Sequence, residues 1–98
     1  MSYFLSFTPS AKQSLRELKD SAHLEKRFKA VSKALKYPTE NPRHPSLQTH
    51  QYFSLFGPNG EKVFEVYAEQ DTPAAYRIFF YYGRVRREIV VFAITSHF

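Results

Sequence analysis

Ninety-eight residues with no cysteine and a formal net charge of +5, from fourteen Lys and Arg against nine Asp and Glu, narrow the field before any motif is read. A chain of this length forms one domain over residues 1–98 and buries roughly two-thirds of its unfolded surface, with ten Phe and seven Tyr to supply the core. The missing cysteines exclude disulfides and thiolate zinc sites, and no apolar run approaches the ~20 residues that span a bilayer.

The segment MSYFLSF has neither a basic leader nor a cleavage pattern, so the expected compartment is the cytoplasm. Basic domains of this size often meet nucleic acid, because neutralising phosphates releases counterions. Here the excess is lopsided: residues 1–45 hold nine basic and four acidic side chains, residues 46–98 five of each.

Tyr3–Phe7 is short, apolar and β-prone, and predicts a first strand. Thr8-Pro9 opens a helix, with Thr as cap and Pro in the first turn where its missing N–H costs nothing. Ser10 with Gln13 offers a second capping box. Ala11, Leu15 and Leu18 follow at helical spacing, up to a break at Asp20-Ser21. A second helix runs from about Ala22 to Lys36, with Leu24, Phe28, Val31 and Leu35 on one stripe and Lys26, Lys29, Lys33 and Lys36 nearly opposite. Tyr37-Pro38 ends it. TENPRHPS, with Pro42 and Pro45 around Arg43 and His44, is an irregular, ordered connection.

A strand from Leu47 to Phe56 is closed by the turn Gly57-Pro58-Asn59-Gly60. Three further strands, Lys62–Glu69, Ala75–Tyr82 and Arg87–Phe98, are rich in Val, Ile, Phe and Tyr and are joined by hairpin connections at Gln70–Ala74 and Gly83–Arg86. No internal repeat divides the chain. The predicted class is α+β in the order β-α-α-β-β-β-β: an N-terminal helical hairpin on one face of a small, largely antiparallel sheet, the other face partly open.

Alternation sorts the side chains of these strands. Phe64, Val66 and Ala68 share one face, opposite Glu65, Tyr67 and Glu69. Tyr76, Ile78 and Phe80 share one face, opposite Arg77, Phe79 and Tyr81. A guanidinium in so apolar a run requires an open face, a carboxylate or a ligand, since an unpaired buried charge is costly.

Three glycines cannot build a phosphate-cradling G-x-G-x-x-G or a P-loop. His23, His44, His50 and His97 lack a metal-ligating spacing, so neither a cofactor nor a metal is expected. The remaining toolkit of His, Arg, Tyr and Glu suits cleavage of RNA by its own 2′-hydroxyl. That reaction needs a base for the hydroxyl proton, a cation for the phosphorane and an acid for the departing 5′-oxygen. Arg77 offers a planar fork to the scissile phosphate, and His97 an acid or base that titrates near neutrality. Tyr67 and Tyr81 offer stacking or proton relay, and Glu65, diagonal to Arg77, a tether for the guanidinium. Candidate RNA contacts are Arg43, His44, His50, Lys62, the hairpin-tip Arg84, Arg86 and Arg87, and the helical Lys26, Lys29 and Lys33, which face away from the sheet. Each reading has a plain alternative. Arg77 pairs across strands with Glu65 or Glu69, His97 is an exposed end residue, Phe79–Tyr82 is packing, and the arginine tip and lysine stripe are solvated edges.

The element order, the NPRHPSL segment, the AYRIFFYY strand and the REIVVFAITSHF ending together resemble the RelE/ParE superfamily of bacterial type II toxins, over essentially the whole chain. The resemblance implies one of two activities: ribosome-dependent, metal-independent cleavage of mRNA, or poisoning of DNA gyrase. Either is neutralised by a cognate antitoxin whose flexible segment wraps the toxin. Arg77 matches the phosphate-binding arginine, and His97 the C-terminal histidine of part of the ribonuclease branch. Two departures stand out. The final position, often a catalytic tyrosine, is Phe98, and the Glu or Lys that some members carry around Ser46, Leu47 and Gln48 is absent. Either His97 does more of the proton work, or another group such as His50 or Tyr81 substitutes, or activity is weak; the alternative reading is a non-catalytic binding module of the same fold. Strand parity bears on this choice: a four-residue turn at Gly83–Arg86 puts Phe98 on Arg77's face, a three- or five-residue turn puts His97 there.

Overall fold

A computed structural model describes residues 3–40, 49–68 and 76–96, for 37–40 the backbone alone. The elements are β1 (Phe4–Phe7), α1 (Pro9–Asp20), a 3-10 turn (Ala22–Leu24), α2 (Glu25–Glu40), β2 (His50–Phe56), β3 (Lys62–Tyr67), β4 (Tyr76–Tyr82) and β5 (Glu88–Ser96). The expected α+β class and order hold.

The five strands form one sheet in the order β1-β5-β4-β3-β2. The pairings from β2 to β5 are antiparallel, whereas β1 runs parallel to β5. The sheet is therefore largely antiparallel, as expected, with the β1–β5 pair making it mixed. A parallel neighbour needs a long crossover rather than a hairpin, and the chain between β1 and β5 includes the whole helical layer.

Thr8 caps α1, its Oγ1 accepting the Ala11 backbone N–H at 3.3 Å, with Pro9 in the first turn. The Ser10–Gln13 capping box does not form. The Ser10 hydroxyl instead donates to the Phe92 carbonyl at 3.4 Å, as Thr8 Oγ1 does at 3.3 Å, and Gln13 donates to Glu17. α1 contributes Ala11 and Leu18 to the core, and α2 contributes Val31, Ala34 and Leu35. They meet Val66, Ile78, Phe80, Ile89, Val91 and Ile94 from the sheet, with Leu15, Leu24, Phe28 and Phe64 packed against the cluster. Each large side chain so buried contributes about 1.5–3 kcal/mol. Phe64, Val66, Ala68, Tyr76, Ile78 and Phe80 all belong to this helix-facing layer, as alternation predicts.

α2 differs from expectation at both ends. Ala22–Leu24 is a 3-10 turn, and the helix proper continues past Tyr37-Pro38 to Glu40. Pro38 falls in the last turn, and the helix runs two residues past it at the cost of one backbone hydrogen bond.

The β4–β5 hairpin sets the register of the second face. The Gly83 N–H donates to the Glu88 carbonyl at 2.9 Å and the Glu88 N–H to that of Val85 at 3.0 Å, so the turn proper is Arg84–Arg87. Arg87 takes the left-handed conformation at φ 66. The Glu88 carboxylate lies over Gly83, where an added Cβ would overlap it, and accepts the Ser6 hydroxyl at 2.7 Å. Beyond the turn Tyr81 faces Val90 and Phe80 faces Val91, but Phe79 faces Ala93. Phe92 is the extra residue of a β-bulge. An even turn alone would set the even-numbered residues of β5 on Arg77's face. The bulge adds one and reverses the parity, so Thr95 stands opposite Arg77.

Candidate functional site

The helices cover one face of the sheet, and Arg77 projects from the other, at the second position of β4. Its Nη1 donates to Glu65 Oε2 at 3.2 Å, the side chains being 21% and 13% exposed. Its Cζ lies 5.0 Å from the centroid of the Phe79 ring. The Nε is buried and has no hydrogen-bond partner among the described residues. Glu65 sits diagonal to Arg77, because Tyr67 takes the place directly opposite and Glu65 faces Phe79. The ion pair orients the fork but leaves donors over, and a buried donor without a partner costs about 1–3 kcal/mol. An oxyanion that offers two oxygens side by side, a carboxylate or a phosphate, matches such donors.

Strand register places further groups around this pair. Thr95 faces Arg77 from β5, and His50 faces Glu65 from β2. His50 is exposed. Below them lies an aromatic floor. The Tyr52 ring meets Phe79 edge-on at 5.1 Å between centroids, and Phe92 lies 6.2 Å from Phe79 and 5.7 Å from Tyr81. Glu65, Tyr67, Arg77, Tyr81 and His50 therefore share one face, as the strand pattern proposed for the first four. Tyr52 and Thr95 join them without having been singled out from sequence. Finding Tyr52 requires the β2–β3 pairing, and finding Thr95 requires the bulge.

Of the other candidates, Arg43, His44 and His97 fall outside the described residues, as does Phe98. Lys26, Lys29 and Lys33 are exposed on α2, on the helical side of the sheet, and Lys29 pairs with Glu25 at 3.2 Å. Lys62 has the parity of Phe64 and Val66, away from Arg77. It begins β3 beside the Gly57–Gly60 turn, at the end of the sheet that also carries Arg84 and Arg86, all three exposed. Glu61 ties that end together. Its carboxyl is held below the usual carboxylate range chiefly by its own backbone N–H and then by that of Asn59, with Arg84 adding a smaller pull. Among the described residues no group of three His, Cys, Asp or Glu is placed to hold a metal, and no helix is long and apolar enough to cross a membrane.

This architecture, two helices on one face of a five-stranded mixed sheet, is the fold of the RelE/ParE toxins. It matches the crystal structure of the archaeal RelE–RelB complex from Pyrococcus horikoshii OT3 with a TM-score of 0.66 and 10% sequence identity, over 98% of this chain and 96% of that one. It matches the YoeB/ParE toxin from Agrobacterium tumefaciens with a TM-score of 0.69 and 10% identity, over 96% of this chain and 98% of that one. No family model and no curated protein matches the sequence. At such identity the likeness is one of fold.

Proposed function

We propose that the chain is the toxin of a type II toxin–antitoxin pair, acting in the cytoplasm as a metal-independent, ribosome-dependent mRNA endonuclease. The observation that carries this reading is Arg77: a guanidinium on the helix-free face, half-tethered by Glu65, with a buried donor still to be satisfied. In the proposed reaction the 2′-oxygen attacks the adjacent phosphorus and its proton passes to a base. Arg77 holds the charge of the phosphorane, and the 5′-oxygen departs with a proton from an acid, leaving a 2′,3′-cyclic phosphate. His97 is proposed for proton transfer. That assignment rests on the family resemblance and on imidazole chemistry, His97 lying outside the described residues. His50 and Tyr81, on the described part of the face, are proposed to replace or assist it. Glu65 fixes the fork between turnovers. The exposed end with Lys62, Arg84 and Arg86, together with Arg87, Arg43, His44, Tyr67 and the lysines of α2, would contact mRNA and ribosomal RNA. The partner that restrains the toxin would be a cognate antitoxin, a reading supported by the RelE–RelB complex having the same fold.

Expression of Arg77→Ala or His97→Ala is expected to relieve growth arrest while the circular dichroism spectrum stays that of the wild type. Undiminished toxicity from both would defeat the assignment. A second reading, a gyrase poison or a non-catalytic binding module, is favoured by Phe98, which has no proton to give. mRNA breaks in a translating extract support the first reading, and inhibited supercoiling supports the second.

A further inference from the structure

Between α1 and the far end of β5 lies a cleft of about 360 Å³, a size typical of small-ligand sites. It opens where β1 stops short. That strand pairs with β5 only as far as Val91, so among the described residues no strand flanks residues 93–96 on that side. The floor is apolar, made by Leu18, Leu24 and Ile94, and the walls carry hydroxyls and one carboxylate, Glu17.

Those wall groups have bonding capacity to spare. The hydroxyls of Ser21, Tyr76, Thr95 and Ser96 make no hydrogen bond among the described residues. Ser14 donates to the Ser10 carbonyl at 3.1 Å, which leaves its oxygen as an acceptor. Glu17 Oε1 accepts the Gln13 side-chain amide at 3.1 Å, one of about four such bonds a carboxylate can take. No cation lines the cleft among the described residues, so a phosphate has nothing to hold it there. The cleft adjoins the candidate site all the same. Tyr76 precedes Arg77 in β4, and Thr95 is its register partner on β5, one strand spacing of about 4.8 Å away.

We propose that this cleft takes a guanine base of single-stranded RNA whose adjoining phosphate lies on Arg77. Guanine carries two N–H donors side by side, N1 and the 2-amino group, and these meet the Glu17 carboxylate as a bidentate pair. Its O6 and N7 accept from the free hydroxyls, and its flat face covers Leu18, Leu24 and Ile94. Adenine and cytosine set an acceptor beside their donor, against the carboxylate, and uracil has a single N–H between two carbonyls. Unpaired RNA bases are commonly read on these edges. The proposal rests on the endonuclease reading for the phosphate at Arg77; the base preference of the cleft is measured apart from cleavage.

The test titrates the isotope-labelled full chain with 2′-deoxy dinucleotides of uracil and guanine, in both orders, which lack the attacking hydroxyl and stay intact. Expected are saturable amide shifts at Ser21, Thr95 and Ser96 together with Arg77. Hypoxanthine in place of guanine removes the 2-amino donor and is expected to weaken binding about tenfold, with adenine and cytosine at least as weak. Glu17→Gln is expected to cost the guanine dinucleotide about tenfold and to erase its lead over hypoxanthine. Unchanged resonances of Phe80 and Ile89 certify the variant's fold. Equal affinity for all the bases overturns the proposal, as does a Glu17→Gln chain that still prefers guanine. So do shifts confined to Arg77, and so does tighter occupation of the cleft by spermidine, the mark of a cation site. The guanine preference is expected to survive at lower affinity in an Arg77→Ala chain, whose growth assay reports on the toxin reading alone, so the two failures are told apart.

Discussion

Arg77 and Glu65 form a pair whose worth is set by partial burial. Removing the carboxylate leaves a guanidinium that is four-fifths covered without its partner, which costs more than losing a surface pair but less than breaking a fully buried one. A double-mutant cycle on Glu65→Ala and Arg77→Ala is expected to give a coupling of about 0.5–3 kcal/mol in urea unfolding. Additivity within about 0.3 kcal/mol would mean that the pair does not hold the fork. This diagonal contact was legible in the sequence because both residues lie on strands of strict alternation joined by one connection. Thr95 was not legible, since nothing in the run Val90–Ile94 marks Phe92 as the extra residue. A bulge in an all-apolar strand leaves no polar signature. Tyr52 was hidden for a related reason: the β2–β3 register shifts between Gln51 and Phe56.

The bulge is held by a neighbouring element. The Phe92 carbonyl receives the hydroxyls of Thr8 and Ser10, so the start of α1 and the register break of β5 are fastened at one point. Thr8→Ala removes both the helix cap and one of these bonds. The expected loss is about 1–2 kcal/mol, or roughly 4–8 °C in melting temperature per kcal/mol for a domain of this size. Thr8→Ser, which keeps the oxygen, should recover most of it in the same thermal melt. The cap itself was readable from Thr8-Pro9. The rivalry between Ser10's two options was not, because the Phe92 carbonyl is 82 positions away in sequence. α2's passage through Pro38 escaped for a simpler reason: proline disfavours helix at itself and at the residue before it but does not forbid it.

The molecule presents two unlike faces and one untidy edge. β2 ends the sheet and carries Phe53 at 74% and Phe56 at 65% exposure. An exposed apolar edge strand invites pairing with another chain. Phe53→Ser with Phe56→Ser is expected to lower self-association in sedimentation runs while moving stability by about 0.5 kcal/mol or less per site. A large loss of stability would show that these rings pack inward in solution.

β1 finds its neighbour in β5, Leu5 beside Ile89 and Phe7 beside Val91, a separation of 84 positions in each case. During synthesis the earliest strand must therefore wait, unmatched, until β5 has emerged. Contacts this distant are slow to form. The same strand supplies Thr95 beside Arg77, so one pairing event both houses the first strand and completes the surface around that arginine, and neither exists before β5 has been made.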